Sequence, residues 1–62
     1  MRIAIDAMGG DNGPRGNVEG AMLAARRFDY DLILVGNERH IRRLLRARRF
    51  ESPRVSIVHA AE

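Results

Sequence analysis

The stretch RIAIDAMGGDNGP, residues 2–14, sets a short apolar run against three glycines, two acids and a proline. Ile3, Ala4 and Ile5 are β-branched at two of three positions and end at the glycine cluster, the pattern of a buried strand. Pro14 suits the first turn of a helix, where its missing N–H would have had no partner. Val18, Ala21, Met22, Ala25 and Phe28 then recur at spacings of three and four, tracing one helical face. Gly16 and Gly20 fall on the other side, near Ala24. There they permit close approach by a second element, or simply weaken an exposed helix start.

From this strand–loop–helix unit the pattern repeats. Leu32, Ile33, Leu34 and Val35 form a continuous apolar run, as expected of a parallel-sheet strand covered on both faces. Gly36 ends it, and Asn37 is a good N-cap for a second helix with Ile41, Leu44 and Leu45 as its apolar stripe. Ser52 and Pro53 break that helix, and Val55–His59 reads as a third strand. The order strand–helix–strand–helix–strand predicts parallel pairing through right-handed crossovers, half of a doubly wound α/β sheet. No repeat, linker or low-complexity segment interrupts it.

The chain has 62 residues, 45% hydrophobic and 31% charged, an ordinary balance for a globular segment. So short a chain buries only about 60% of the surface its unfolded form exposes, and with no cysteine it has no disulfide framework. The expectation is a marginal mini-domain or a piece of something larger. No basic region followed by a long apolar run opens the chain, and the apolar run of residues 32–35 is far short of the ~20 residues of a membrane span. A cytoplasmic protein is expected. Net charge is +3, with every basic residue an arginine. Residues 1–31 carry four arginines against five acids, and residues 32–62 seven against three, so the basic character sits in the second half.

The loop DAMGGDNGP, residues 6–14, follows the first strand, at the edge where ligands bind in open α/β sheets. Gly9 and Gly10 can adopt backbone angles closed to other residues and let a ligand approach the main chain. The helix behind them offers unpaired N–H groups and a partial positive charge to an anion. The familiar phosphate motifs do not fit. A P-loop needs a lysine, and there is none; a dinucleotide fingerprint needs glycines at offsets zero, two and five, which Gly9, Gly10, Gly13 and Gly16 never supply. Asp6 and Asp11 add negative charge where a phosphate wants none. Their expected tasks are to accept loop N–H groups, to cap the helix, or to orient a substrate hydroxyl or a distant basic residue. Spacing alone fits a structural turn and a ligand-contacting loop alike.

DAMGGD followed by Pro14, Val18, Gly20 and Ala21 resembles the opening of bacterial phosphate acyltransferase, the acyl-carrier-protein–phosphate acyltransferase of phospholipid synthesis. The resemblance continues through LILVGNERHI, residues 32–41, and RVSIVHAAE, residues 54–62, and so covers essentially the whole chain. It implies transfer of a long-chain acyl group from acyl carrier protein to inorganic phosphate, giving acyl phosphate. It also implies a Rossmann-like α/β/α fold related to phosphotransacetylase and isocitrate dehydrogenase-like enzymes, in a cytosolic homodimer loosely associated with the inner face of the membrane. The chemistry is acyl transfer from a thioester, which requires an anion site and oxyanion stabilisation but no nucleotide or metal cofactor. Family members are several times longer, so the chain is expected to be the N-terminal fragment of a single larger α/β domain, inactive alone. Asp6, Gly9, Gly10 and Asp11 are the candidate substrate-binding residues, the catalytic ones lying elsewhere.

Other readings exist. A ribose-binding acid after the second strand would mark a nucleotide or sugar-phosphate enzyme, but Gly36–Asn37 offers none. The arginines at 39, 42, 43, 46 and 49 could make a non-catalytic anion-binding module, though charge runs usually mean a solvated face. With only Phe28, Tyr30 and Phe50 as aromatics, no stacking surface for nucleic acid is expected. His40 reads as a surface helix residue. His59 ends the third strand on the same sheet edge as the glycine loop, as a packing residue or a neighbour of the site. No Ser–His–Asp or Cys–His arrangement can be assembled.

Overall fold

A computed structural model describes residues 1–11 and 13–60. Asn12, inside the glycine loop, and Ala61 and Glu62, the end of the third stretch of resemblance, lie outside the described residues. The elements run β1 (Arg2–Asp6), α1 (Gly13–Arg27), β2 (Asp31–Gly36), α2 (Glu38–Ala47) and β3 (Val55–His59). The strands form one parallel sheet in the order β1-β2-β3, as the predicted β-α-β-α-β order requires, and this is the N-terminal part of a Rossmann-like arrangement.

Register fixes the core. Ile3, Leu32 and Val55 lie abreast, and one step on so do Ile5, Leu34 and Ile57. These rows face the helices, because residues two apart share a sheet face. Against them α1 lays Val18, Ala21, Met22 and Ala25, and α2 lays Ile41, with Leu44 and Leu45 half-buried. Val18, Leu34, Ile41 and Ala7 are fully buried. Each large apolar side chain so enclosed contributes about 1.5–3 kcal/mol relative to exposure.

Two expectations are corrected here. The continuous run in β2 predicts cover on both faces, but both helices lie on one. A sheet growing in a single direction through right-handed crossovers puts every helix on the same side. Leu32, Leu34 and Gly36 are therefore buried, whereas Ile33 and Val35 are half-buried and Val58 of the neighbouring strand is 51% exposed on the bare face. Phe28, expected on the buried stripe of α1, lies beyond the helix and is 51% exposed. Its ring stacks on Tyr30 with centroids 5.4 Å apart, because the chain has already turned toward β2.

The helix ends have local causes. Asn37 caps α2 as predicted, its Oδ1 accepting the His40 N–H at 2.9 Å. The far end of α2 comes earlier than the predicted break at Ser52–Pro53. Arg49 takes a left-handed φ of 51°, its N–H donating to Arg46 O and the Phe50 N–H to Leu45 O, both at 3.0 Å. This is a Schellman closure without the usual glycine. The guanidinium of Arg26 sits 5.7 Å from the Phe50 ring centroid and holds the turn against α1. Arg54 does the same for the end of α1, donating to Ala25 O at 3.0 Å and Phe28 O at 3.4 Å and pairing with Asp29.

Gly20 is exposed within α1, and a Cβ there would meet nothing within 4 Å, so no second element approaches it. Gly20→Ala is therefore expected to stabilise the protein by up to about 1 kcal/mol. Leu34→Ala, which opens a cavity at the centre of the sheet, is expected to destabilise it by about 2–5 kcal/mol. Thermal midpoints of the two variants against the parent should move in opposite directions.

Candidate functional site

All three strands end at the same edge of the sheet, and the links between those ends build the site. The β1–α1 loop begins as an Asx turn: Asp6 Oδ1 accepts the N–H groups of Met8 at 3.0 Å and Gly9 at 3.1 Å. The ladder itself continues one residue past β1, with the Ala7 N–H donating to Val35 O at 2.9 Å. From above, Asn17 on α1 points its amide into the loop. Its Nδ2 lies 2.7 Å from Gly9 O, 3.0 Å from Ala7 O and 3.4 Å from Asp6 O. Three carbonyls can only be faced by the donor end of that amide, which settles its orientation. One side chain thus fastens the loop to the helix that follows it.

Gly9 and Gly10 differ in what they are needed for. A Cβ on Gly9 would come within 2.7 Å of Asp6 Oδ2, so the bare backbone there makes room for the carboxylate that shapes the turn. Gly10 has φ of 80° and nothing within 4 Å of where a Cβ would stand. Its glycine serves the backbone conformation and leaves the main chain open to approach.

Asp6, Gly9 and Gly10 are therefore gathered into one turn. Asp11 stands apart from them, exposed at the loop tip, and no side-chain hydrogen bond joins it to the other described residues. Beyond the loop, the first turn of α1 carries no acid, and Arg15 there is exposed beside Glu19 at 3.7 Å. Within α1 itself, no acid of the first turn offsets the partial positive charge of the helix end.

The neighbouring strand ends are joined to this loop. Met8 reaches across to β2, where a Cβ on Gly36 would clash with Met8 Cγ at 2.7 Å. His59, at the end of β3, accepts the Glu38 N–H through Nδ1 at 3.1 Å and so caps the first turn of α2. Its contact is structural, in line with the packing role open to it from sequence. Glu38, Arg39, Arg42 and His59 line a shallow cleft of about 360 Å³. A larger one, about 780 Å³, lies between α2 and the free side of β3 and contains none of the four candidate residues. No group of three or more His, Cys, Asp or Glu gathers into a metal-binding cluster among the described residues.

Asn17 and Met8 are the residues that sequence reasoning passed over. Asn17 had a signal, since a poor helix former stands directly beside the core position Val18. Met8 had none, because its place depends on the space that Gly36 leaves on a different strand.

A parallel β-α-β-α-β unit with a glycine loop and a helix N-terminus at the carboxyl edge of its sheet is the ligand-binding layout of open α/β enzymes. The family follows from comparison with known proteins. A model described as "Fatty acid synthesis protein" matches residues 1–62, and the chain belongs to that family. It is 52% identical over its whole length to a phosphate acyltransferase of Pelotomaculum thermopropionicum, and 45% identical to one of Pelobacter propionicus. A phosphate acyltransferase of Halalkalibacterium halodurans is 48% identical over 63 aligned residues. In each case all of this chain is matched against 18% of the relative, so it spans under a fifth of the length of these relatives.

If Asp6 and Asn17 shape the loop together, their removal should loosen it and leave the sheet intact. Asp6→Ala and Asn17→Ala are each expected to speed amide hydrogen exchange at Met8 and Gly9 about tenfold or more, equivalent to roughly 1.4 kcal/mol of lost local protection. Exchange at Leu32 and Leu34 should change far less.

Proposed function

We propose that the protein carrying this segment is a phosphate acyltransferase of phospholipid synthesis, which transfers a fatty acyl group from acyl carrier protein to inorganic phosphate. The observation that carries this reading is the unbroken match of all 62 residues to relatives of that name, at 40–52% identity, with the glycine loop at the ligand-binding edge of the sheet. A phosphate oxygen attacks the thioester carbonyl, the new C–O bond forms, the C–S bond breaks, and the carrier leaves as its thiolate. The carbonyl oxygen is an anion in between and needs preorganised donors.

In this reading the β1–α1 loop helps shape the substrate pocket. Gly10 allows close approach to the backbone, Gly9 and Asp6 hold the turn, and the N-terminus of α1 favours an anion. Asp11, exposed in the loop, orients a substrate or a basic residue from another part of the protein. The remaining catalytic groups belong to further α/β units of the same domain, in a cytosolic homodimer loosely bound at the membrane. Support for a larger domain comes from the length of the relatives and from the apolar bare face of the sheet, where Ile33, Val35 and Val58 lie together.

The test is acyl phosphate formation by the full-length protein from acyl carrier protein thioester and phosphate. Asp6→Ala combined with Gly10→Val should lower turnover at least tenfold, equivalent to about 1.4 kcal/mol of transition-state stabilisation. Unchanged turnover would remove the loop from the mechanism, and no acyl phosphate from the parent protein would refute the activity.

A further inference from the structure

We infer that the outer face of α2 is a docking surface for an acidic protein, the carrier that brings the acyl group. This partner rests on the function proposed above, whereas the surface is a property of the chain itself. Arg39, Arg42, Arg43 and Arg46 fall within a narrow arc of the helix, directly opposite Ile41, Leu44 and Leu45, and all four are exposed. Arg49 extends the row past the end of the helix. From Arg39 to Arg46 the stripe is about 10 Å long, at 1.5 Å per residue.

The arginines elsewhere in the second half of the chain are already employed. Arg48 turns inward to Glu19 at 3.4 Å, and Arg54 binds the end of α1. In the stripe only Arg42 has a carboxylate, Glu38 at 2.7 Å. Arg39, Arg43, Arg46 and Arg49 make no ion pair among the described residues. The arrangement opposes the stability of α2. Arg39–Arg43 and Arg42–Arg46 are like charges one turn apart, and Arg39 stands at the positive end of the helix dipole. Unpaired guanidinium groups on a rigid helix present fixed forks, the geometry that carboxylates accept bidentately.

The chemistry of the rest of the surface selects the partner. A helix that settles on an anionic bilayer carries apolar side chains beside its charges. The exposed large apolar residues are Met1, Leu23, Phe28 and Val58, none of them on α2, and the apolar stripe of α2 is turned into the core. A nucleic-acid surface would interleave aromatics, and Phe50, next to the stripe, is covered by Arg26. What remains is a row of cations matched to a row of carboxylates on a partner helix.

The experiment is carried out on the full-length protein with Arg43→Glu and Arg46→Glu combined, and with Arg43→Gln and Arg46→Gln as the milder pair. Binding of acyl carrier protein is measured by calorimetry over a salt series, and sedimentation with phosphatidylglycerol vesicles is measured alongside. Far-UV circular dichroism checks that each variant is folded. Reversal should weaken the carrier Kd at least tenfold and flatten its salt dependence, neutralisation should weaken it several-fold, and vesicle binding should not change. An unaltered carrier Kd in a folded variant, no carrier binding by the parent, or a loss confined to vesicles would each overturn the docking surface. A parent protein that binds the carrier through these arginines but makes no acyl phosphate would overturn the proposed function and leave the docking surface standing.

Discussion

β2 is hydrogen-bonded along both of its edges, and the right-handed crossovers that flank it decide where everything else goes. Because the sheet grows in one direction, both helices are forced onto one face and must share it. α1 manages this with Val18, Ala21, Met22 and Ala25, small or flexible side chains that let it lie close to Leu32 and Leu34. α2 needs only Ile41 fully buried, since Leu44 and Leu45 close the gap toward β3. The same constraint leaves Ile33, Val35 and Val58 on a bare face. An apolar run that reads as a strand buried twice is, within these residues, buried once.

Parallel strands also bring their carboxyl ends to one edge, and there the chain joins them by side chains rather than by more sheet. Asp6 curls the loop, Asn17 pins its carbonyls, Met8 fills the space above Gly36, and His59 meets the first free N–H of α2. The contacts of Asp6, Asn17 and His59 satisfy backbone groups that would otherwise need water, and those of Asp6 and Asn17 hold the first turn of the glycine-rich loop. Gly10, with φ of 80°, and Gly13, with φ of 68°, each combine a left-handed backbone angle with open space above it. There the main chain is open to approach, whereas the bare backbone of Gly9 makes room for the Asp6 carboxylate.

Arginine serves three different ends in this small structure, although the residue type is the same throughout. Arg54 and Arg26 are structural, one binding carbonyls at the end of α1 and the other lying over Phe50. Arg48 forms the ion pair that ties α2 to α1. The stripe from Arg39 to Arg46 does neither, and it raises the electrostatic energy of its own helix. Composition counts all of these as net positive charge. Only their surroundings separate a brace from an exposed recognition surface.

Local patterns were enough to read the element order, the parallel pairing, the Asn37 cap and the buried stripes of α1 and α2, because period and capping chemistry act over a few residues. The family resemblance, carried by DAMGGD and two later stretches, was likewise legible and agrees with the match over residues 1–62. Three features were not. Phe28 continued the helical spacing but lies past the end of α1, where Arg54 binds the last carbonyls from β3's side of the molecule. The end of α2 depended on Arg49 accepting a left-handed conformation that glycine more often supplies. Asp6 and Gly9 were visible as loop formers, yet their fit to each other, and to Asn17 on the next helix, is a matter of distances across the fold. Sequence determined which segments become strands and helices and which residue types stand at the carboxyl edge. The tertiary structure decided which face is covered, which glycines are open and which arginines remain unpaired, because each depends on how the folded elements lie against one another.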